Sequence, residues 1–268
     1  MTRTLLTGAT GTLGSELLPR LREAGHDVIA ASRSPPTDSG GDDPIGRGSD
    51  SELEWVELDL GTGEGIEGAV AAADVIVHAA SNATGDSEAV DARGTGRLVA
   101  AAEAADVSHL VYPSIVGVDE MTSFSYYEHK LAAEQAIREG DVPWTIVRAT
   151  QFHEFVDELL GMVARLPIWP WVTRFRVQPI AAAEVAVAIS EHADEDPVGY
   201  AAELGGSEVR TGRELAEAYR SARGYRRPIV RLPLPGKTAA AFRAGAATTP
   251  DRAVGKQPWE AWLAERYD

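Results

Sequence analysis

The chain has 268 residues, 41 acidic against 25 basic side chains, a formal charge of -16 and no cysteine. That length supports a full hydrophobic core, and the lack of cysteine excludes disulfides, thiolate metal sites and cysteine nucleophiles and fits a reducing cytoplasm. So negative a charge argues against nucleic-acid or anionic-membrane partners, since both call for a cationic face.

Met1-Thr2-Arg3 leads directly into apolar residues without signal-peptide features, and no run approaches the roughly 20 apolar residues of a membrane span. A soluble cytoplasmic protein with a small-molecule substrate is expected, and homo-oligomerisation is left open. Thr4-Leu5-Leu6 reads as a buried strand that ends in a glycine turn, followed by Leu13, Leu17, Leu18 and Leu21 at helical spacing up to Gly25. Asp27 to Ala31 reads as the next strand, which completes a βαβ unit. Ser34 to Asp50, rich in Pro, Gly, Ser and Asp, reads as a mobile loop. Alternation continues with strand Trp55 to Leu58, helix Gly65 to Ala73, strand Val75 to His78 and helix Ala89 to Ala105. Strand Leu110 to Tyr112, helix Tyr126 to Arg138 and strand Thr145 to Val147 follow. Six strands separated by helices predict an α/β fold, a doubly wound parallel Rossmann sheet. Beyond Arg148 the rhythm changes: Ile168-Trp169-Pro170-Trp171 and the Pro/Arg-rich tail from Arg226 to Trp262 do not follow the βαβ pattern, while Ala182 to His192 and Gly212 to Arg223 still read as helices. The expected division is a nucleotide-binding core over residues 1–150, with 176–205 returning to it, and a small C-terminal substrate lobe over 151–175 and 206–268.

Gly8, Gly11 and Gly14, with Thr10, Thr12 and Leu13 between them, stand where a strand turns into a helix. Such a turn lets backbone approach a pyrophosphate and aims a helix N-terminus at the anion. At the end of the second strand, where NAD-binding units usually carry an acid for the ribose hydroxyls, this chain has Ser32-Arg33-Ser34; a guanidinium there suits a 2′-phosphate, so NADP(H) is expected over NAD(H). Asp59 and Leu60 follow the third strand, where a carboxylate could meet the adenine amino group or simply cap a turn. Ala79, Ala80 and Ser81 close the fourth strand with residues small enough to let backbone pass the nicotinamide ribose.

Tyr126 and Lys130 are four apart on one predicted helix and so share a face; Ser114 follows the fifth strand, at the sheet edge where open α/β folds bind ligands. A phenol near pKa 10 is poorly matched to proton transfer near neutrality, and a nearby ammonium corrects that by favouring phenolate. Lys130 is one of only three lysines, with Lys237 and Lys256. Spacing alone selects Tyr126 over Tyr127. Ser123 and Ser125 also precede the pair, and Ser125 reads better as a helix N-cap.

These motifs, with Asp91 to Thr95, Val111 to Ser114, Tyr126 to Lys130 and Arg148 to Phe152, resemble the short-chain dehydrogenase/reductase superfamily. The similarity is to its extended and atypical branch, which includes NmrA-like, NAD(P)H-binding and epimerase/dehydratase-like proteins. The resemblance implies a Rossmann core with a substrate lobe, catalytic roles for Ser114, Tyr126 and Lys130, and cofactor contacts at Gly8, Gly11, Gly14, Arg33 and Asp59, with Lys130 also on the nicotinamide ribose. Two features depart from the pattern: the interval from Ser114 to Tyr126 is short, and Asp91 stands where Asn is common.

Gln151, Phe152 and His153, after the sixth strand, are candidate substrate contacts. Trp169, in Trp169-Pro170-Trp171 near Phe175, fits a substrate pocket, a subunit contact or the lobe's own core. His78 and His109 read as strand-associated core histidines and His129 as pointing off the Tyr–Lys face; no metal-binding spacing occurs, so no metal is expected. The resulting expectation is an NADP-dependent oxidoreductase that exchanges hydride with a small carbonyl or quinone-like substrate. The alternatives are a non-catalytic NADP(H) sensor or regulator and a sugar-type epimerase or dehydratase with internal redox.

Overall fold

The computed structural model describes residues 1–36 and 53–267. Most of the loop expected over Ser34 to Asp50 lies outside them. The chain begins with strand β1 (Arg3–Thr7), helix α1 (Thr12–Glu23), strand β2 (Asp27–Ser32), strand β3 (Glu54–Glu57), helix α2 (Ile66–Val70) and strand β4 (Val75–His78). A π-helix (Glu88–Gly94) then runs into α3 (Thr95–Ala104), followed by β5 (His109–Ile115), α4 (Ser125–Glu139) and β6 (Trp144–Ala149). After β6 come α5 (His153–Val163), β7 (Trp169–Trp171), β8 (Arg176–Val177), α6 (Ala182–Asp194), β9 (Gly199–Tyr200), β10 (Arg210–Thr211) and α7 (Gly212–Ala222). The described chain ends through β11 (Ile229–Arg231), α8 (Lys237–Ala244) and α9 (Trp259–Tyr267).

Seven strands form one sheet in the order β3-β2-β1-β4-β5-β6-β9. Every pairing resolved within it is parallel: β1 with β2 and β4, β2 with β3, β4 with β5, and β6 with β9. The order reverses beside β1, the switch point at which open α/β sheets bind ligands. Residues that bury both faces of a strand build its middle: Val75 to His78 is buried throughout, as are four of the five residues of β1. On α1, Leu13, Leu17, Leu18 and Leu21 turn inward, as the 3.6-residue period requires.

The six-strand Rossmann expectation thus holds, with a seventh strand added. Gly199–Tyr200 escaped the pattern because two residues starting on a glycine carry no periodicity. The helix expected over Ala89 to Ala105 is two windings, π then α. Ser125 is the first residue of α4 rather than its cap; Glu128 N–H bonds to Phe124 O at 3.1 Å, so the cap position falls on Phe124. The tail from Arg226 to Trp262, expected to leave the βαβ pattern, contains β11, α8 and the start of α9; at Trp259, Trp262 and Leu263, α9 supplies buried residues.

The chain divides into two compact units. The first comprises residues 1–114, 129–147 and 186–201, and its core includes Leu5, Ile29, Ile76, Leu98, Leu110, Tyr112 and Ile146. The second comprises 115–128, 148–185 and 202–268, centred on Leu160, Trp169, Leu215, Tyr219, Trp259 and Leu263.

Two buried histidines of the first unit predict a loss of stability in acid. Burial depresses His78 to about 3, with the Lys130 charge adding to the effect, and depresses His109 to about 4. Each is hydrogen-bonded to threonine: His78 to Thr7 at 2.7 Å and Thr95 at 2.9 Å, His109 to Thr145 at 2.8 Å. An unfolded histidine takes its proton near 6.5. Between that value and the folded ones the unfolded chain binds more protons, so stability falls as pH drops through the window, by up to about 1.4 kcal/mol per pH unit for each histidine. The urea midpoint is expected to be lower at pH 5 than at pH 7, with a smaller difference in His109→Asn. An undiminished difference in that variant contradicts the assignment.

Candidate cofactor and active site

At Gly8 and Gly14 the glycine turn leaves no room for a side chain. Gly8 has φ +70°, and a Cβ on it would lie 2.6 Å from Ala80 Cα; a Cβ on Gly14 would lie 2.0 Å from Gly8 O. Backbone of the turn therefore rests on the end of β4, where Ala79 and Ala80 stand. Ser15 N–H closes the first turn of α1 on Gly11 O at 2.9 Å, leaving the amides of Thr12, Leu13 and Gly14 ahead of the ladder. No acidic residue occupies that turn, so its positive end suits an anion. A cradle that side chains would fill is the observation that fits a dinucleotide pyrophosphate.

At the end of β2, Ser32 Oγ lies 3.2 Å from Thr10 Oγ1, and Arg33 is exposed. Asp59 accepts the Gly61 N–H at 2.7 Å, a turn contact made with one carboxylate oxygen. Leu60 is buried. Ser81 Oγ donates to Asp91 Oδ1 at 2.6 Å, and the Asn82 N–H donates to Asp91 Oδ2 at 3.0 Å.

Lys130 is 3% exposed. Its Nζ donates to Pro113 O at 3.0 Å, lies 4.1 Å from the Tyr112 ring centroid and stands 3.9 Å from Asp91 Oδ1. Burial lowers its pKa, against the pull of Asp91 and Glu134. Ser114 donates its hydroxyl proton to Glu134 Oε1, whose other oxygen accepts from Tyr200 at 2.9 Å. Sequence reasoning missed Glu134, wholly buried one turn beyond Lys130 on α4; an acid at i+4 from a lysine normally signals a solvated pair. It also gave Asp91 no role, though Asp91 is wholly buried beside the lysine.

Tyr126 is half-buried and Tyr127 buried. Burial pushes the Tyr127 phenol up to about 12, away from proton exchange near neutrality. Gln151 and Phe152 are half-buried. His153 and Trp169 pack inside the second unit. His153 stacks on Trp259 at 5.5 Å and donates from Nε2 to Gln257 O at 3.0 Å, while Trp169 is surrounded by Tyr219 and Tyr225. His129 bonds Ser87 at 2.8 Å. Among the described residues no cluster of three or more metal-ligating side chains occurs and no helix is long and apolar enough to cross a membrane.

A parallel sheet whose first βα turn only glycine can build defines a Rossmann-type dinucleotide-binding protein. Residues 8–167 match the NAD(P)H-binding family, and the chain belongs to it. It is 31% identical over 149 residues to the (4-alkanoyl-5-oxo-2,5-dihydrofuran-3-yl)methyl phosphate reductase of Streptomyces griseus, covering 55% of this chain and 47% of that protein. The chain thus spans about half the length of that relative. It is 29% identical over 243 residues to the ceramide reductase of Caulobacter vibrioides, covering 86% of this chain and 74% of the other. In fold it is similar to the NADPH-dependent quinone oxidoreductase QOR2 of Escherichia coli complexed with NADPH, with a TM-score of 0.77 at 15% identity over 99% of this chain and 100% of the other.

Proposed function

We propose that this chain is an oxidoreductase that prefers NADP(H) and reduces a small carbonyl or quinone-like substrate. One observation carries the reading: the single lysine of the first 236 residues is buried one turn after a half-buried tyrosine on α4. Burying an ammonium costs stability, and a shifted ionisable group beside a cofactor cradle is where function concentrates. NADPH, when bound, supplies the hydride. Tyr126 gives its phenolic proton to the oxygen of the reduced carbonyl, Lys130 favours the phenolate left behind and holds the ribose, and Ser114 orients the substrate oxygen. The relatives named as reductases support this direction. NADPH oxidation with a panel of quinones, aldehydes and ketones tests it; cofactor binding with no turnover on any of them overturns it.

The NADP(H) preference rests on Arg33, exposed at the end of a β2 that carries no acid there. Glu57 of β3 is in register with Ser32, so removing the arginine leaves a carboxylate on the neighbouring strand end. Arg33→Ala is expected to weaken NADPH binding about ten-fold or more, the scale of a lost charge-assisted contact, with NADH little affected. Thermal-shift titrations giving the same NADPH:NADH ratio in both proteins would refute it.

A second reading, an NADP(H) sensor without turnover, draws on the Ser114 hydroxyl, whose proton is already committed to Glu134. The same panel assay separates the two.

A further inference from the structure

Two stretches of the sequence run against its acidic character. Residues 159–183 and 218–250 hold ten of the 25 basic side chains and none of the 41 acidic ones. Folding joins them, because β7 pairs in parallel with β11, with Ile229 opposite Trp169 and Arg231 opposite Trp171. Against this ribbon lies a shallow, solvent-open groove lined by Arg174, Arg231, Arg243, Phe175, Leu232 and Leu234 among others. Arg174 and Arg231 are exposed, and none of the three arginines is ion-paired with a carboxylate among the described residues. The walls are fixed: Arg243 Nη1 donates to Leu234 O at 3.0 Å, and Phe175 stacks on Phe242 at 4.8 Å and 3°. Leu232 and Leu234 remain 40% and 41% exposed.

Three guanidinium groups that line one groove without a carboxylate partner among the described residues repel one another, and half-exposed leucines in the same lining add an apolar cost. One ligand chemistry relieves both. Guanidinium forks match phosphate oxygens with paired N–H donors, and the leucines with Phe175 offer a surface for hydrocarbon. We propose that this groove binds a phosphate monoester carried on a short alkyl or acyl chain, the phosphate on Arg174, Arg231 and Arg243 and the chain on Leu232, Leu234 and Phe175. An acidic protein face fits less well, since stable protein interfaces bury about 1,200 Å2 or more, well beyond a groove of six or so side chains. The proposal stands independently of the redox reading.

Isothermal titration of the whole protein in 0.15 M salt with hexyl phosphate, inorganic phosphate and hexanol tests it. Hexyl phosphate is expected to bind about ten-fold or more tighter than either of the others. Arg231→Gln and Arg174→Gln should each weaken hexyl phosphate about ten-fold or more, whereas Leu234→Ser should weaken hexyl phosphate and leave inorganic phosphate unchanged. All three variants should keep the wild-type thermal midpoint and NADPH affinity. The proposal is overturned by no hexyl phosphate binding at millimolar concentration or by undiminished binding in both arginine variants. It is equally overturned if, with no hexyl phosphate bound, phosphatidic acid vesicles are captured or Arg231→Gln abolishes a self-association of the chain.

Discussion

Tyr126→Phe is expected to lower kcat by about a hundred- to ten-thousand-fold, the range contributed by one positioned proton donor, while NADPH affinity stays within about two-fold of wild type. The change deletes one oxygen from a half-buried ring whose packing beside Phe124 and Tyr127 remains, and the thermal midpoint of the variant separates any folding defect from lost chemistry. Tyr127→Phe is the matched control. Burial holds the Tyr127 phenol near 12, too high for it to exchange a proton near neutrality, and its loss should leave turnover close to wild type. The comparison is read from kcat and from direct NADPH titration of both variants. Equal losses in the two, or a Tyr126→Phe enzyme of undiminished kcat, would remove Tyr126 from the chemistry.

The second large effect is expected at Gly14. An alanine there would put its methyl 2.0 Å from Gly8 O, 2.8 Å from Ala9 Cα and 2.8 Å from Gly8 C, all of it backbone that no rotamer change can clear. The turn must open, which costs about 1 to 3 kcal/mol or more on the scale of overpacked sites and pulls the free amides of α1 out of line. Gly11→Ala serves as the graded comparison, since its methyl would meet only Gly8 O, at 3.2 Å. Gly14→Ala should lose measurable NADPH binding and unfold at lower urea; Gly11→Ala should retain a thermal midpoint near wild type. Saturable wild-type affinity in Gly14→Ala contradicts the cradle assignment.

The glycine turn and the alternation of strands and helices were legible in the sequence because each rests on a local rule: three glycines between a strand and a helix, and apolar spacing of two against 3.6. Leu13, Leu17, Leu18 and Leu21 announce both the helix and its buried face. Glu134 was illegible for a corresponding reason. Its identity and spacing are those of a surface acid, and only the tertiary position of Ser114 and Tyr200, 20 and 66 residues away, turns it into a buried acceptor. His153 and Trp169 follow a related logic. For Trp169 the lobe's own core was among the readings, and there it packs against Tyr219 and Tyr225; His153, placed after a strand, stacks on Trp259 and Trp262 of α9, which no local rule brings near it. Arg174, Arg231 and Arg243 are separated by up to 69 residues, so no spacing rule could gather them.

The π-helix over Glu88–Gly94 carries Asp91 to Ser81 and Asn82. A π turn closes its bonds one residue later than an α turn, so this segment holds one residue more than an α-helix of the same path. Removing one residue of the π-helix after Asp91, such as Ala92 or Arg93, would restore ordinary winding and rotate what precedes the cut by about 100°, and a different side chain would then face Ser81. Substitutions along this stretch change one group at a time; a deletion of one residue exchanges the partner of Lys130 without touching either Lys130 or Asp91. For this segment the inherited constraint is a residue count as much as a residue identity.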